Sequence, residues 1–271
     1  MSDSTASSEA GGSGATAGVT LERAERRATL TLDRPPLNIL DLAALEQLSA
    51  HLDKLRFDPD LQLLIVRGAG DRAFSAGVAV EDHTRERIAN SLRVFHKALG
   101  RLAALPAITI AAVRGHCLGG GMELAAACDF VLSDATGRFG QPEIELGCFP
   151  PAAVAIYPDR LGYRKTLELL VTGETLSAEK ALAAGFVTWL AGADPGDLDA
   201  ALEVQAEKIM TKSAAVTRAL KSALHEGRRR LFENDLQRTE RAYLDDLLNT
   251  EDMDEGIAAF LEKRKPVWKH K

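Results

Sequence analysis

The sequence predicts an α/β fold: a layered core of strands interleaved with helices, followed by a region built from helices alone. Three observations predict it. Short apolar or alternating segments recur as far as residue 133, and leucine-rich stretches of helical spacing lie between them. From Lys165 onward the strand patterns thin out and helical periodicity takes over. The composition, 46% hydrophobic and 27% charged over 271 residues, is that of a globule able to bury a substantial core.

The elements follow in order. Residues 1–18, "MSDSTASSEAGGSGATAG", hold no apolar run to bury and are expected to form a disordered tail. They lack the basic start and apolar centre of a secretory signal, the first arginine being Arg23. "ATLTLDR" (28–34) alternates apolar and polar residues and meets Pro35-Pro36, a strand and its stop. "LDLAALEQLSAHLDKL" (40–55) sets Leu42, Leu45, Leu48, Leu52 and Leu55 at helical spacing, with Asn38 or Asp41 as N-cap. "LQLLIVRGAG" (61–70) is a buried strand closed by glycine. Ile88, Leu92, Phe95, Leu99 and Leu102 mark the next helix, ended by Pro106. "AITIAAVRG" (107–115) is another buried strand, and a further strand is expected near 130–133. "RKTLELLVTG" and "LSAEKALAAGFV" are short helices bounded by glycine. Long amphipathic stretches cover 199–226, 229–248 and 252–263, with "GRRRL" (227–231) as a solvated helix start. The expected division is a tail at 1–18, a core at 19–195 and a helical region at 196–271.

Charge and cysteine usage narrow the function. A formal charge of −6 argues against general nucleic-acid binding. Cys117, Cys128 and Cys148 form no C-x-x-C pair, which suggests neither a disulfide framework nor a zinc site. No apolar run approaches the ~20 residues of a membrane span. A soluble cytoplasmic protein is expected.

The chemistry gathers in three stretches. "HCLGGGMELAAACDF" (116–130) follows a buried strand with three glycines and then a helical sequence carrying Glu123. Bare backbone there lets a ligand approach where a Cβ would block it, and the first N–H groups of a helix attract negative charge. Glu123, three residues past Gly120, faces the same space. The competing reading is structural: glycines permit close strand–helix packing, and a first-turn Glu suits the helix dipole. "AFSAGVAVED" (73–82) offers a second free N–H at Val78. "FGQPEIELGCFPP" (139–151) places Glu143 twenty positions beyond Glu123.

With "FSAGV", "AAVRGHCLGGGMELAAACDF", "RFGQPEIELG", "VTGETLSAEKALAAGFV" and "FLEKRKPVWK", the chain from about Val19 to Lys271 resembles the crotonase (enoyl-CoA hydratase/isomerase) superfamily. The resemblance implies a spiral of ββα units with a C-terminal helical region that builds trimers, often paired as hexamers. It implies an acyl-CoA thioester whose carbonyl oxygen meets the backbone N–H groups of Val78 and Gly120. It implies two catalytic glutamates, Glu123 and Glu143, one activating water and the other protonating the α carbon. Coenzyme A enters as part of the substrate, near Ala76, Val78 and Val80, with Phe260 and Lys263 completing its site. No separate cofactor and no metal is implied.

The chain also departs from the family pattern. Ala79 stands where hydratases carry Asp, and Pro36 where many relatives carry Lys or Arg. "FPPAAVAIYP" (149–158) replaces a glycine-rich segment after Glu143. "PPLNILD", "FSAGVAVEDH" and "GCFPPAA" are similar to the cyclohexa-1,5-diene-1-carbonyl-CoA hydratases. His83 and His116, near the two turns, are expected to be structural. The leading expectation is an acyl-CoA hydratase acting on a linear or cyclic substrate. An isomerase on the same scaffold, which needs one carboxylate, and a non-catalytic acyl-CoA-binding protein are the alternatives.

Overall fold

The structure is a computed structural model and describes residues 18–194 and 196–271, without the side chains of 228–231. The expected disordered tail falls outside this range apart from Gly18. β1 (Gly18–Ala24) and β2 (Arg27–Asp33) form an antiparallel hairpin. β1 was not legible in the sequence because its outer half is exposed and charged, which removes the alternation. α1 (Leu42–Arg56) starts at Asp41, whose carboxylate accepts the Ala44 N–H at 2.9 Å and so settles the choice of cap. Asn38 is buried instead, and its amide donates to the carbonyls of Ala69 (3.0 Å) and Ala73 (2.7 Å).

Three strand–strand–helix units follow. The first is β3 (Leu63–Gly68), β4 (Ala73–Ser75) and α2 (Ile88–Ala103). The second is β5 (Ile108–Val113), β6 (His116–Leu118) and α3 (Gly120–Ala126). The third is β7 (Phe130–Ser133), β8 (Arg138–Gly140) and α4 (Pro151–Leu161). The first strand of each unit joins a six-stranded sheet and the second joins a four-stranded sheet, so the chain winds as the expected ββα spiral. α5 (Tyr163–Thr172), β9 (Leu176–Ser177), α6 (Ala178–Ala183) and β10 (Trp189–Leu190) close the two sheets at orders β1-β2-β3-β5-β7-β10 and β4-β6-β8-β9.

α7 (Asp197–Met210) lies on the outer face of the large sheet, where Leu198, Leu202 and Ala206 pack on Leu63, Ile65, Ile110 and Leu132. The alternate residues Leu64, Val66, Ala111 and Val113 face the main core with α1 and α2. Cover on both faces explains why β3 reads as an unbroken apolar run.

The C-terminal helices differ from expectation in their boundaries. The stretch 199–226 is divided at Ser213, which caps α8 (Ala214–Arg241). α8 passes through Gly227, so no helix starts there; the side chains of Arg228, Arg229, Arg230 and Leu231 lie outside the described residues. One interior glycine costs a helix about 1 kcal/mol, little against 28 residues of helix. α8 ends in a wide π turn (Ala242–Asp246), and α9 (Glu251–Leu261) starts from a Thr250 cap. Among the described residues no helix is long and apolar enough to cross a membrane. All three cysteines are buried and unpaired.

Candidate active site

Two glycine turns meet at the edge of the small sheet. Leu40 donates its N–H to Gly77 O (2.9 Å) and accepts the Ala79 N–H (3.1 Å), in a parallel bridge opposite Val78. Such a bridge uses the groups flanking Val78 and turns the N–H of Val78 itself to the other side. Ser75 Oγ fixes the turn by donating to Asn38 O (2.8 Å) and accepting the Gly77 N–H (3.1 Å). Across from it, Gly119 takes a positive φ of 52° to lead β6 into α3. Among the described residues neither the Val78 N–H nor the Gly120 N–H has an acceptor. The two are close: a Cβ on Gly77 would lie 3.2 Å from Gly120 N, and a Cβ on Gly120 would lie 3.3 Å from Val78 N. Glycine at both positions keeps that space open.

Both amides border a cavity of about 240 Å³, and so do Glu123 and Glu143. Glu123 is 4% exposed, and its Oε1 accepts the Ala153 N–H at 2.7 Å. That N–H belongs to the first turn of α4, where backbone donors lack helical partners and a carboxylate is favoured. Glu143 rides on a short 3₁₀ turn, Pro142–Leu146. The residue borders the open cavity and is half-buried, yet its carboxyl group is enclosed: a Cβ on Gly119 would stand 2.7 Å from its Oε1. Gln141 turns its amide nitrogen to this carboxylate (2.8 and 3.1 Å) while its carbonyl accepts from the Tyr157 hydroxyl. Against an ionised Glu143 the opposite orientation would set oxygen against oxygen.

The two carboxyls are not equivalent. Burial pushes Glu143 well above the usual carboxylate range, and the charge of Glu123 pushes it further. Burial also raises Glu123, but the charge of His96 and the N–H groups of Ala153 and Ala152 oppose it. Glu143 therefore holds its proton more firmly, although the two titrate as a pair. Burial drives the Cys148 thiol up to about 12, helped by Glu143, and also raises Tyr157 and Tyr243. These groups stay neutral beside the glutamates.

This inequality makes stability depend on pH. A raised folded pKa stabilises fully below the unfolded value, near pH 4, and the contribution is lost as pH rises through the folded value. Glu143→Gln mimics the neutral carboxyl at every pH. Its melting temperature should match the parent near pH 4 and exceed it increasingly toward pH 8, by roughly 2–4 °C per kcal/mol. Differential scanning calorimetry across that range checks this; a variant less stable at pH 8 than at pH 4, relative to the parent, contradicts a Glu143 carboxyl raised by burial.

The fold agrees with the comparisons. The family model for enoyl-CoA hydratase/isomerase matches residues 22–271. The chain belongs to the enoyl-CoA hydratase/isomerase family. It is 36% identical over 259 residues to a probable enoyl-CoA hydratase of Mycobacterium tuberculosis, covering 93% of this chain and 98% of that one. It is 34% identical over 254 residues to the cyclohexa-1,5-dienecarbonyl-CoA hydratase of Thauera aromatica, covering 93% and 96%. The crystal structure of carnitinyl-CoA hydratase from Mycobacterium avium is similar, with a TM-score of 0.83, 32% identity and coverage of 94% and 99%.

Within this family fold the remaining candidate residues fall as follows. Ala76, Val78, Val80 and Phe260 border the cavity together with the two glutamates. Lys263 does not line it; it is exposed just beyond α9, its N–H donating to Phe260 O at 3.1 Å. His83 lines the cavity with Nδ1 paired to Ala79 O (3.0 Å), while His116 is exposed on β6. The Ala79 turn is held by its backbone, through Leu40. Sequence reasoning missed Ala153 as the anchor of Glu123, although Pro151 at a helix start signals free N–H groups nearby. It also missed Gln141, Tyr157 and His96, for which spacing offers no signal.

Proposed function

We propose that this protein is an acyl-CoA hydratase that adds water across, or removes it to form, the α,β double bond of an enoyl thioester. The observation that carries this reading is the convergence of two acceptor-less amides, Val78 and Gly120, with two glutamates, Glu123 buried and Glu143 half-buried, on one cavity. The thioester oxygen lies between the amides. Glu123, the more readily ionised carboxyl, takes a proton from water as the water oxygen bonds to the β carbon. The π electrons shift toward the carbonyl, and the two N–H groups stabilise the resulting enolate oxygen. The enolate collapses as the α carbon takes the proton of Glu143. Glu123 then holds a proton and Glu143 a charge, and one proton exchange resets the pair.

Two carboxyls favour hydration over double-bond isomerisation, which needs one to shuttle a proton. Ala76, Val78, Val80 and Phe260 are assigned to coenzyme A by their place around the cavity, and Lys263 by its charge beside Phe260. The cavity wall is largely apolar, with Ile88, Leu92, Phe95 and Phe149, and suits a linear or a cyclic acyl group. The similarity to the Thauera aromatica hydratase makes the cyclic dienoyl thioester the second substrate to try. A trimer or a dimer of trimers is the assembly we assign from the family resemblance, and Val216, Leu220 and Leu224 leave an apolar stripe of α8 exposed for another copy.

Purified protein given crotonyl-CoA, and separately cyclohexa-1,5-diene-1-carbonyl-CoA, in ¹⁸O-labelled water tests the reading. Loss of the enoyl absorbance with label in the product is expected for at least one. Rearrangement without label assigns the isomerase instead, and binding without turnover of either rejects both enzymatic readings for these substrates.

A further inference from the structure

The hydroxyl of Tyr157 is under a constraint that reaches Glu143. Tyr157, on α4, is fully buried, and its ring meets Phe186 edge-on with centroids 5.8 Å apart. Phe186 is in turn packed on Phe139 of β8 at 5.5 Å. Among the described residues the hydroxyl meets one hydrogen-bond partner, the side-chain amide of Gln141. A phenol has one hydrogen to donate, and an amide nitrogen does not accept it. With the nitrogen toward Tyr157 that hydrogen would be buried without an acceptor, which is costly. The carbonyl of Gln141 therefore faces Tyr157, whatever the charge on Glu143.

The other end of the amide is then committed. Gln141 is fully buried where β8 passes into the 3₁₀ turn, and its nitrogen lies 2.8 and 3.1 Å from the two oxygens of Glu143. The backbone there is fixed as well: Gly140, the preceding residue, accepts the Gly119 N–H at 2.9 Å, next to the amide of Gly120. Tyr157 thus orients Gln141, and Gln141 touches the carboxyl assigned as the acid. Tyr157 stands within residues 149–158, the stretch in which this chain departs from the family pattern.

We propose that Tyr157 and Gln141 form a positioning pair: the hydroxyl keeps the amide N–H toward Glu143, which aims that carboxyl and stabilises the carboxylate left when its proton moves to the α carbon. Neither residue borders the cavity, and the pair acts through Glu143. An amide donor suits the task because it is neutral and does not compete as an acid. The titratable groups that face Glu143 are Glu123 on α3, Tyr157 on α4, Cys148 and Tyr243, with His83 and Glu145 elsewhere on the cavity wall. α5 and α9 pack on the same turn. On α5, Tyr163 and Arg164 are exposed and Lys165 pairs with Glu168; on α9, Glu251, Asp252, Asp254 and Glu255 have partners of their own.

The inference rests on the hydratase reading for its meaning, but the pair is testable without turnover. On a Glu123→Gln background, where the new amide can still accept the Ala153 N–H, Glu143 is the one titrating glutamate of the two. Its protonated C=O stretch is followed against pH by infrared difference spectroscopy, the band being assigned by its loss on adding Glu143→Gln. Gln141→Met should raise the protonation midpoint by about 1 unit, because a donor to the ionised form is lost. Tyr157→Phe should raise it by less, since the amide is then free to turn, and should add nothing once Gln141→Met is present. With both glutamates intact, Tyr157→Phe should shift the alkaline limb of kcat/KM upward for whichever enoyl-CoA is hydrated. A midpoint unmoved by Tyr157→Phe in a folded protein overturns the proposal even if rates fall, because packing alone lowers rates without moving a titration. A downward move overturns it too, by showing the carbonyl turned to a protonated Glu143. A Tyr157→Phe shift that persists beside Gln141→Met rejects action through the amide. A raised midpoint in a protein that hydrates nothing keeps the pair and rejects the hydratase reading.

Discussion

Glu143→Gln should lower kcat by roughly 10²–10⁴-fold while changing thioester affinity far less. Gln fills the same space and can still meet Gln141, but it has no proton to give the α carbon. The contact that is lost exists only as the enolate collapses, so the effect falls on kcat and kcat/KM together rather than on KM alone. Steady-state kinetics with crotonyl-CoA, paired with calorimetric binding of unreactive butanoyl-CoA, separates the two. Turnover within a few-fold of the parent would remove Glu143 from its assigned role. The same variant gains stability at alkaline pH, because the folded state pays to hold on Glu143 a proton that the unfolded chain would release.

A second large effect is expected from Gly120→Ala. Gly120 has an ordinary helical backbone, and alanine favours a helix over glycine by about 1 kcal/mol. The added Cβ, however, would lie 2.8 Å from Val78 Cγ2 and 3.3 Å from Val78 N, in the space between the two amides. An oxygen placed there loses at least one of its donors. Loss of one such donor reduces kcat by about 10²–10³, which is the fall expected here, with little change in melting temperature. Activity near that of the parent would show that the carbonyl oxygen binds elsewhere. Gly119→Ala is a poorer test, since its φ of 52° and the nearby Glu143 Oε1 would confound strain with chemistry.

Much of the architecture was legible. α1, α2, β3, β5 and β7 were readable because each buries a face, and burial imposes a period of 3.6 or 2 on the sequence. Of the second strands of the three units, β4 and β6 were read within glycine turns and β8 within the stretch that leads to Glu143. At three residues each they are too short to show a period, and they exist because neighbouring turns of the spiral pair with one another. The break at Ser213 was likewise hidden inside a continuous amphipathic pattern.

By itself the sequence determined the chemical cast: glycines where backbone must stay bare, and two carboxylates at a fixed separation along the chain. It determined the family as well, since motif order survives where overall identity has fallen to about a third. Only the tertiary structure decided how unequal those carboxylates are. That difference arises from groups far apart in the chain, such as Ala153 against Glu123, whose separation of 30 residues leaves no local pattern. Electrostatic energy depends on distance through space and on the loss of water, and neither is written in the order of residues.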